Sequence, residues 1–273
     1  MDRHVVSSWG RSAKVAVLTL SLGLIAHAAT AATNLVQNPY FAITGGSDAT
    51  SLEFGTGCGT NCNGLGNVAD WTTSGYNFVY LPNTSDTVGG TGNSGNVKLW
   101  GPNNDGAGGG AGAANGLPTS APAPGQNFVA ADGAYEVSAI TQTINGLIVG
   151  DRVAVSFSWA GAQQSGFTGP TTDQWTVDLG GSASQSTSIL SLPSQGASAW
   201  MTQTFYFVAT NTSELLSFLA TGTPSGEPPF ALLANVSVTV PEPGSFTIML
   251  SGLLALIGLA RFRGPRSGGQ TTA

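Results

Sequence analysis

The sequence predicts an all-β chain: a single two-sheet sandwich of roughly 200 residues between an N-terminal leader and a C-terminal apolar helix. Three observations carry this. The 273 residues include 39 Gly and 14 Pro, and only 8% are charged, so helix formers are scarce. Between the two ends no stretch of useful length repeats its apolar residues every 3.6 positions, whereas several alternate with period two or run as short β-branched and aromatic blocks. Turn-forming clusters separate those blocks: Asn145-Gly146, Gly150-Asp151, Gly180-Gly181, Pro193 to Gly196, and Pro224 to Pro229.

The leader spans residues 1–32. Arg3, Arg11 and Lys14 precede an apolar run over 15–26, and small residues close it. A charged start, a short apolar middle and an A-x-A exit make a secretory signal peptide. The middle is shorter than the roughly 20 residues that a membrane span needs. Cleavage is expected after Ala28, Ala31 or Ala32, since the sequence offers all three.

Strands are expected near 35–41, 76–81, 96–100, 135–144, 152–160, 174–179, 200–209, 215–220 and 231–239. The clearest alternation is Val153, Val155, Phe157 and Trp159 against Ala154, Ser156, Ser158 and Ala160, which gives one packed face and one nearly flat face. Phe205 and Phe207 alternate with Tyr206 and Val208, apolar on both faces, as in a central strand covered on both sides. The glycine- and proline-rich stretch 101–125 reads as a mobile surface loop. Its glycines precede no Gly-Lys-Ser/Thr, so they predict no phosphate cradle.

At the other end, Pro241 and Pro243 each remove a backbone donor and end the last strand. An uncharged apolar run over 246–260 follows, and then Arg261, Arg263 and Arg266. The run is slightly short for a bilayer, but snorkelling arginines and local thinning close the gap. Its arginines belong on the cytoplasmic side, so the domain before it lies outside. The expected organisation is a leader over 1–32, an exported β-sandwich over 33–239, a tail over 240–266 containing the transmembrane helix, and a short cytoplasmic end over 267–273.

Composition excludes several function classes. Two of the eight basic residues, Lys98 and Arg152, lie between the sorting segments, against twelve of the fourteen acids, so the domain carries a formal net charge of −10. Such a surface repels nucleic acid. Both histidines, His4 and His27, fall in the leader. The exported part therefore has none for a Ser-His-Asp triad or a His-ligated metal. Cys58 and Cys62 cannot complete a zinc site, and an exported compartment favours a local disulfide between them.

Two resemblances are more specific. Pro241-Glu242-Pro243, a short apolar helix and an arginine cluster at the extreme C-terminus resemble the PEP-CTERM sorting signal. That resemblance implies an exosortase that recognises the Pro-Glu-Pro element and cuts near it. It also implies a Gram-negative host that makes exopolysaccharide, transient residence in the inner membrane, and a final place at the cell surface or in the extracellular matrix. In the domain, the segments 34–41, 132–144 and 231–238 resemble the opening, middle and closing strands of jelly-roll, galactose-binding-like exported modules. The fold implied is a jelly-roll-like sandwich. Carbohydrate-binding members often carry acidic residues at two positions that help hold calcium; here these read Ala42 and Ala234. No metal or cofactor is expected beyond weak Ca²⁺ binding by backbone carbonyls.

Sugar recognition needs aromatic platforms beside polar groups. The candidates are Trp71, Tyr76, Trp100 and Trp175, of which Trp71 and Trp100 border glycine-rich loops and suit either a platform or the core. Trp159 and Trp200 lie in apolar strands and are expected in the core. For catalysis, the remaining chemistry is a carboxylate pair, as in glycoside hydrolysis. Asp173 and Asp178, five positions apart on a strand, point to opposite faces, while Asp132 and Glu136 lie close in sequence. The expectation is a non-catalytic exported protein whose domain binds exopolysaccharide. The alternatives are a self-associating structural surface protein and, behind it, a carboxylate-based glycosidase.

Overall fold

The structure, a computed structural model, describes residues 32–43, 51–54, 68–86, 97–103 and 114–241. They form two antiparallel sheets packed face to face as a jelly-roll-like sandwich. The strands are β1 (Ser51–Glu53), β2 (Asn77–Tyr80), β3 (Phe128–Asp132), β4 (Ile140–Asn145), β5 (Arg152–Gln163), β6 (Thr171–Leu179), β7 (Gln185–Ser186), β8 (Leu190–Leu192), β9 (Met201–Val208), β10 (Ser213–Thr223) and β11 (Pro229–Thr239). One sheet has the order β1-β2-β3-β11-β5-β9; the other is β4-β10-β6-β7, with β8 also on β6. The leader, Cys58, Cys62, Glu242, Pro243, the span 246–260 and the three arginines lie outside the described residues, while Ala32 and Pro241 stand exposed at the two ends of them. Among the described residues no helix is long and apolar enough to cross a membrane.

The core between the sheets follows the alternation. Val153, Val155, Phe157 and Trp159 of β5 face Trp175, Val177 and Leu179 of β6 and Leu216, Phe218 and Ala220 of β10. A second apolar layer covers the other side of the longer sheet, where Phe78, Tyr80, Phe128, Ala130, Phe230 and Leu232 pack under Val97, Leu99, Leu117 and Ala121. The segment expected as a free loop is therefore a lid in its described parts. Leu117 and Ala121 are buried, and the Asn115 amide donates to the carbonyls of Trp100 and Gln195.

Four strand expectations change. β9 is an edge strand, not a central one: Phe205 and Phe207 are buried while Tyr206 and Val208 are exposed. The Arg152 guanidinium covers the Tyr206 ring at 3.7 Å, and the Gln185 amide donates to its carbonyl, so the edge is partly capped. Residues 35–41 form no strand and are tied to β11 by two backbone bonds, the Leu35 amide donating to the Val238 carbonyl and the Val236 amide to the Pro39 carbonyl. Asn34 holds them there: its Oδ1 accepts from the Val36 and Val238 amides and its Nδ2 donates to the Val236 carbonyl. Of the strand expected over 96–100, the described residues 97–100 form only the bridge Leu99–Gln164, and 135–139 turn away before β4 begins, with Glu136 at φ 43°.

Candidate ligand-binding cleft

At one end of the sandwich the chain forms a cleft of about 520 Å³, lined by Tyr76, Asp132, Tyr135, Gln164, Phe167 and Pro228 among others. One wall is built at the end of β3. Asp132 Oδ1 accepts from the amides of Ala134 and Tyr135 at 2.8 and 3.0 Å, the Asx turn that a strand-ending Asp-Gly favours. That turn swings Tyr135 back against Tyr76, ring centroids 5.3 Å apart and nearly perpendicular. Tyr76 in turn packs edge-on against Phe78 at 4.6 Å, and its amide donates to the Glu136 carbonyl. The ring is thus anchored in the second apolar layer, while Tyr135, 55% exposed, reaches solvent.

The opposite wall comes from the turn after β5. Its amides are held from outside: Gln164 donates to the Pro228 carbonyl, Ser165 to that of Lys98, and Thr168 to Glu227 Oε2. The Trp100 indole donates to the Phe167 carbonyl at 2.7 Å, so it steadies the loop whose Phe167 ring, 38% exposed, faces the cleft.

Asp132 is the charged group in this lining. It is 2% exposed, and its Oδ2 has no hydrogen-bond partner. Burial pushes its carboxyl up to about 6, against the two backbone amides that pull it down. Asp173 is fully buried on the inner face of β6 with both oxygens unpartnered. Burial, and then the nearby Asp132 charge, raise it well above the ordinary carboxylate range.

The four predicted aromatic candidates divide. Tyr76 lines the cleft and Trp100 braces its rim. Trp175 and Trp71 do not belong to it. Trp175 is fully buried, its indole donating across the sandwich to the Leu232 carbonyl, and Trp71 lies between Phe41 and Phe218 with its indole on the Asn38 carbonyl. Neither has a free ring face. Trp159 is buried as expected, but Trp200 is half-buried, edge-on to Phe128 with its indole on the Ser120 carbonyl. Tyr135 and Phe167 were not anticipated. The signal was present for Tyr135, which follows the turn Asp132-Gly133-Ala134, whereas Phe167 sits in a turn with no pattern of its own.

Asp178 lies on the outer face of β6, where its Oδ1 accepts from the Gly181 amide, so it is not paired with Asp173. Glu136 is exposed beyond the cleft. Among the described residues no group of three or more acidic or cysteine side chains could hold a metal ion.

No protein-family model matches the chain, and no curated protein matches it. Solved structures similar to it include TmCBM61 in complex with β-1,4-galactotriose, at 10% identity over 77% of this chain and 99% of that one, TM-score 0.34. Another is the CBM22-1 xylan-binding domain of Xyn10C from Paenibacillus barcinonensis, at 12% identity over 78% and 97%, TM-score 0.35. A third is the arabinose-bound α-L-arabinofuranosidase MgGH51, at 12% identity over 76% of this chain and 26% of that one, TM-score 0.38.

Proposed function

We propose that the exported domain is a non-catalytic glycan-binding module and that the cleft between Tyr135 and Phe167 is its binding site. One observation carries this: three aromatic rings from three chain segments converge on a cleft that also offers a carboxylate and the Gln164 amide. Rings stack on the apolar faces of sugars, and fixed polar groups select the hydroxyls. Hydrolysis is disfavoured because Asp132 is the one carboxylate among the described residues of the cleft's lining: Asp173 is sealed in the core, Glu227 is tied to the Thr168 amide on the rim, and Glu136 is an exposed residue beyond it.

The test is calorimetric titration of the chain with soluble polysaccharides and their oligomers. Phe167→Ala and Tyr135→Ala remove exposed rings without opening the core. Each is expected to weaken binding by about 1–3 kcal/mol, from roughly fivefold to roughly 150-fold. Unchanged affinity in both variants would remove the cleft from consideration.

The wider role proposed is delivery to an exopolysaccharide matrix. The leader exports the chain, the tail from Pro241 holds it in the inner membrane, and an exosortase-type enzyme acting near Pro241-Glu242-Pro243 passes it outward. Deleting residues 241–273 is expected to release the domain into the medium, measured by fractionation and blotting; a deletion product still in the membrane fraction would refute the sorting role.

A further inference from the structure

The walls of the cleft favour one charge of ligand. Ring faces attract cations, and Tyr76, Tyr135 and Phe167 supply three around one space. Asp132 is a buried acceptor with an oxygen that nothing in the protein satisfies. The charged neighbours are acidic on every side: Glu136 follows on the same turn, Glu227 holds the opposite rim through the Thr168 amide, and Asp173 lies behind. The two basic residues of the exported domain are Lys98, on the segment that receives the Ser165 amide, and Arg152, at the start of β5 and stacked on Tyr206. A neutral sugar would give Asp132 a hydroxyl donor; an ammonium group would satisfy the carboxylate and the ring faces together. The domain's net charge of −10 would draw a polycation to it.

We propose that the cleft binds an amino sugar, a polysaccharide bearing free ammonium groups, with Asp132 as counter-ion and Tyr76, Tyr135 and Phe167 as its walls. This deepens the glycan-binding role and rests on it. The ammonium must meet an ionised Asp132, so affinity rises as that carboxyl gives up its proton around pH 6 and is lost again at higher pH as the sugar's amino groups give up theirs; Glu136, Glu227, Asp173 and Lys98 are the other charged groups around it.

The experiment titrates the full-length chain, held in a detergent without a sugar headgroup, with a glucosamine hexamer, its fully N-acetylated counterpart, a neutral glucan hexamer and polylysine. At pH 7 the glucosamine hexamer is expected to bind at least about tenfold more tightly than the acetylated one. Asp132→Asn, which keeps the Oδ1 acceptor of the turn, is expected to bring the two within about twofold. Thermal unfolding checks that variant, and Phe167→Ala, at an exposed ring, is expected to weaken the glucosamine hexamer as well if Asp132→Asn fails to fold. Equal affinity for the two hexamers, or binding of the neutral glucan alone, overturns the ammonium proposal and leaves glycan binding standing. Polylysine bound as tightly as the amino sugar overturns the commitment to a sugar. Absence of binding to every glycan overturns both.

Discussion

Replacing Trp175 by alanine is expected to cost about 3–5 kcal/mol, a large part of the stability of an ordinary domain. Trp175 is the largest fully buried side chain among the described residues, and it is packed edge-on against Phe218 at 6.1 Å. Its indole also spans the sandwich: it stands on β6, and its Nε1 donates to the Leu232 carbonyl of β11 at 3.0 Å. Truncation therefore opens a cavity between the sheets and deletes a hydrogen bond that joins them. Trp175→Phe separates the two effects, because it keeps most of the volume and loses only the bond, at about 1–2 kcal/mol plus a smaller void. Denaturant unfolding of both variants measures this. If Trp175→Ala lost less than 1 kcal/mol, the ring would not be core, and its rejected role as a sugar platform would return.

Trp175 also marks what the sequence made legible. The five-position spacing of Asp173 and Asp178 on a strand placed them on opposite faces, and the alternating burial along β6, which starts three residues earlier than the expected 174–179, agrees. The same alternation puts Trp175 beside Val177 and Leu179 on the inner face. Its nomination as a ligand residue came from its polar neighbours in sequence, which point the other way. Trp71 was harder to read, because it lies in no strand. It is buried by Phe41 and Phe218, which are remote from it in the chain, and by an indole bond to Asn38 that no local pattern announces. β3 was missed because Phe128–Asp132 is apolar on both faces: Val129 and Ala131 face the other sheet while Phe128 and Ala130 face the second layer, so no alternation survives. The cleft was legible only in part. Its parts, Tyr76, Asp132 and the turn at Tyr135, are visible one by one, but their convergence with Phe167 depends on the pairing of β3 and β5 with the same strand, β11. Pairing between strands this far apart in the chain, as for Leu232 with Ala130 and with Ala160, leaves no mark on either segment.

The remaining large effect concerns Asp173. A buried carboxyl with no donor at either oxygen is a cost the fold carries at neutral pH. The position is built around it: a side chain on Gly161 of the facing sheet would meet Asp173 Oδ2 at 2.7 Å, and Leu190 lies at the same distance from that point. Burial raises the Asp173 carboxyl above its ordinary value of 3.8, so between that value and its native one the folded chain holds a proton that the unfolded chain has lost. Stability is then full below about pH 4 and falls as pH rises, by up to about 1.4 kcal/mol per pH unit for each such group. Asp132 acts in the same direction between 3.8 and about 6. The wild-type chain is therefore expected to melt at a higher temperature at pH 4.5 than at pH 7, the reverse of a protein held by ionised carboxylates. Asp173→Asn removes the ionisable group and keeps its shape. It is expected to raise the melting temperature at pH 7 and to flatten the fall, and with Asp132→Asn added the curve should lose most of its slope. Circular dichroism melts across pH 4 to 8 read this directly. A wild-type curve that rises toward neutrality, or an Asp173→Asn slope equal to the wild type, would mean that Asp173 is ionised in the fold at neutral pH.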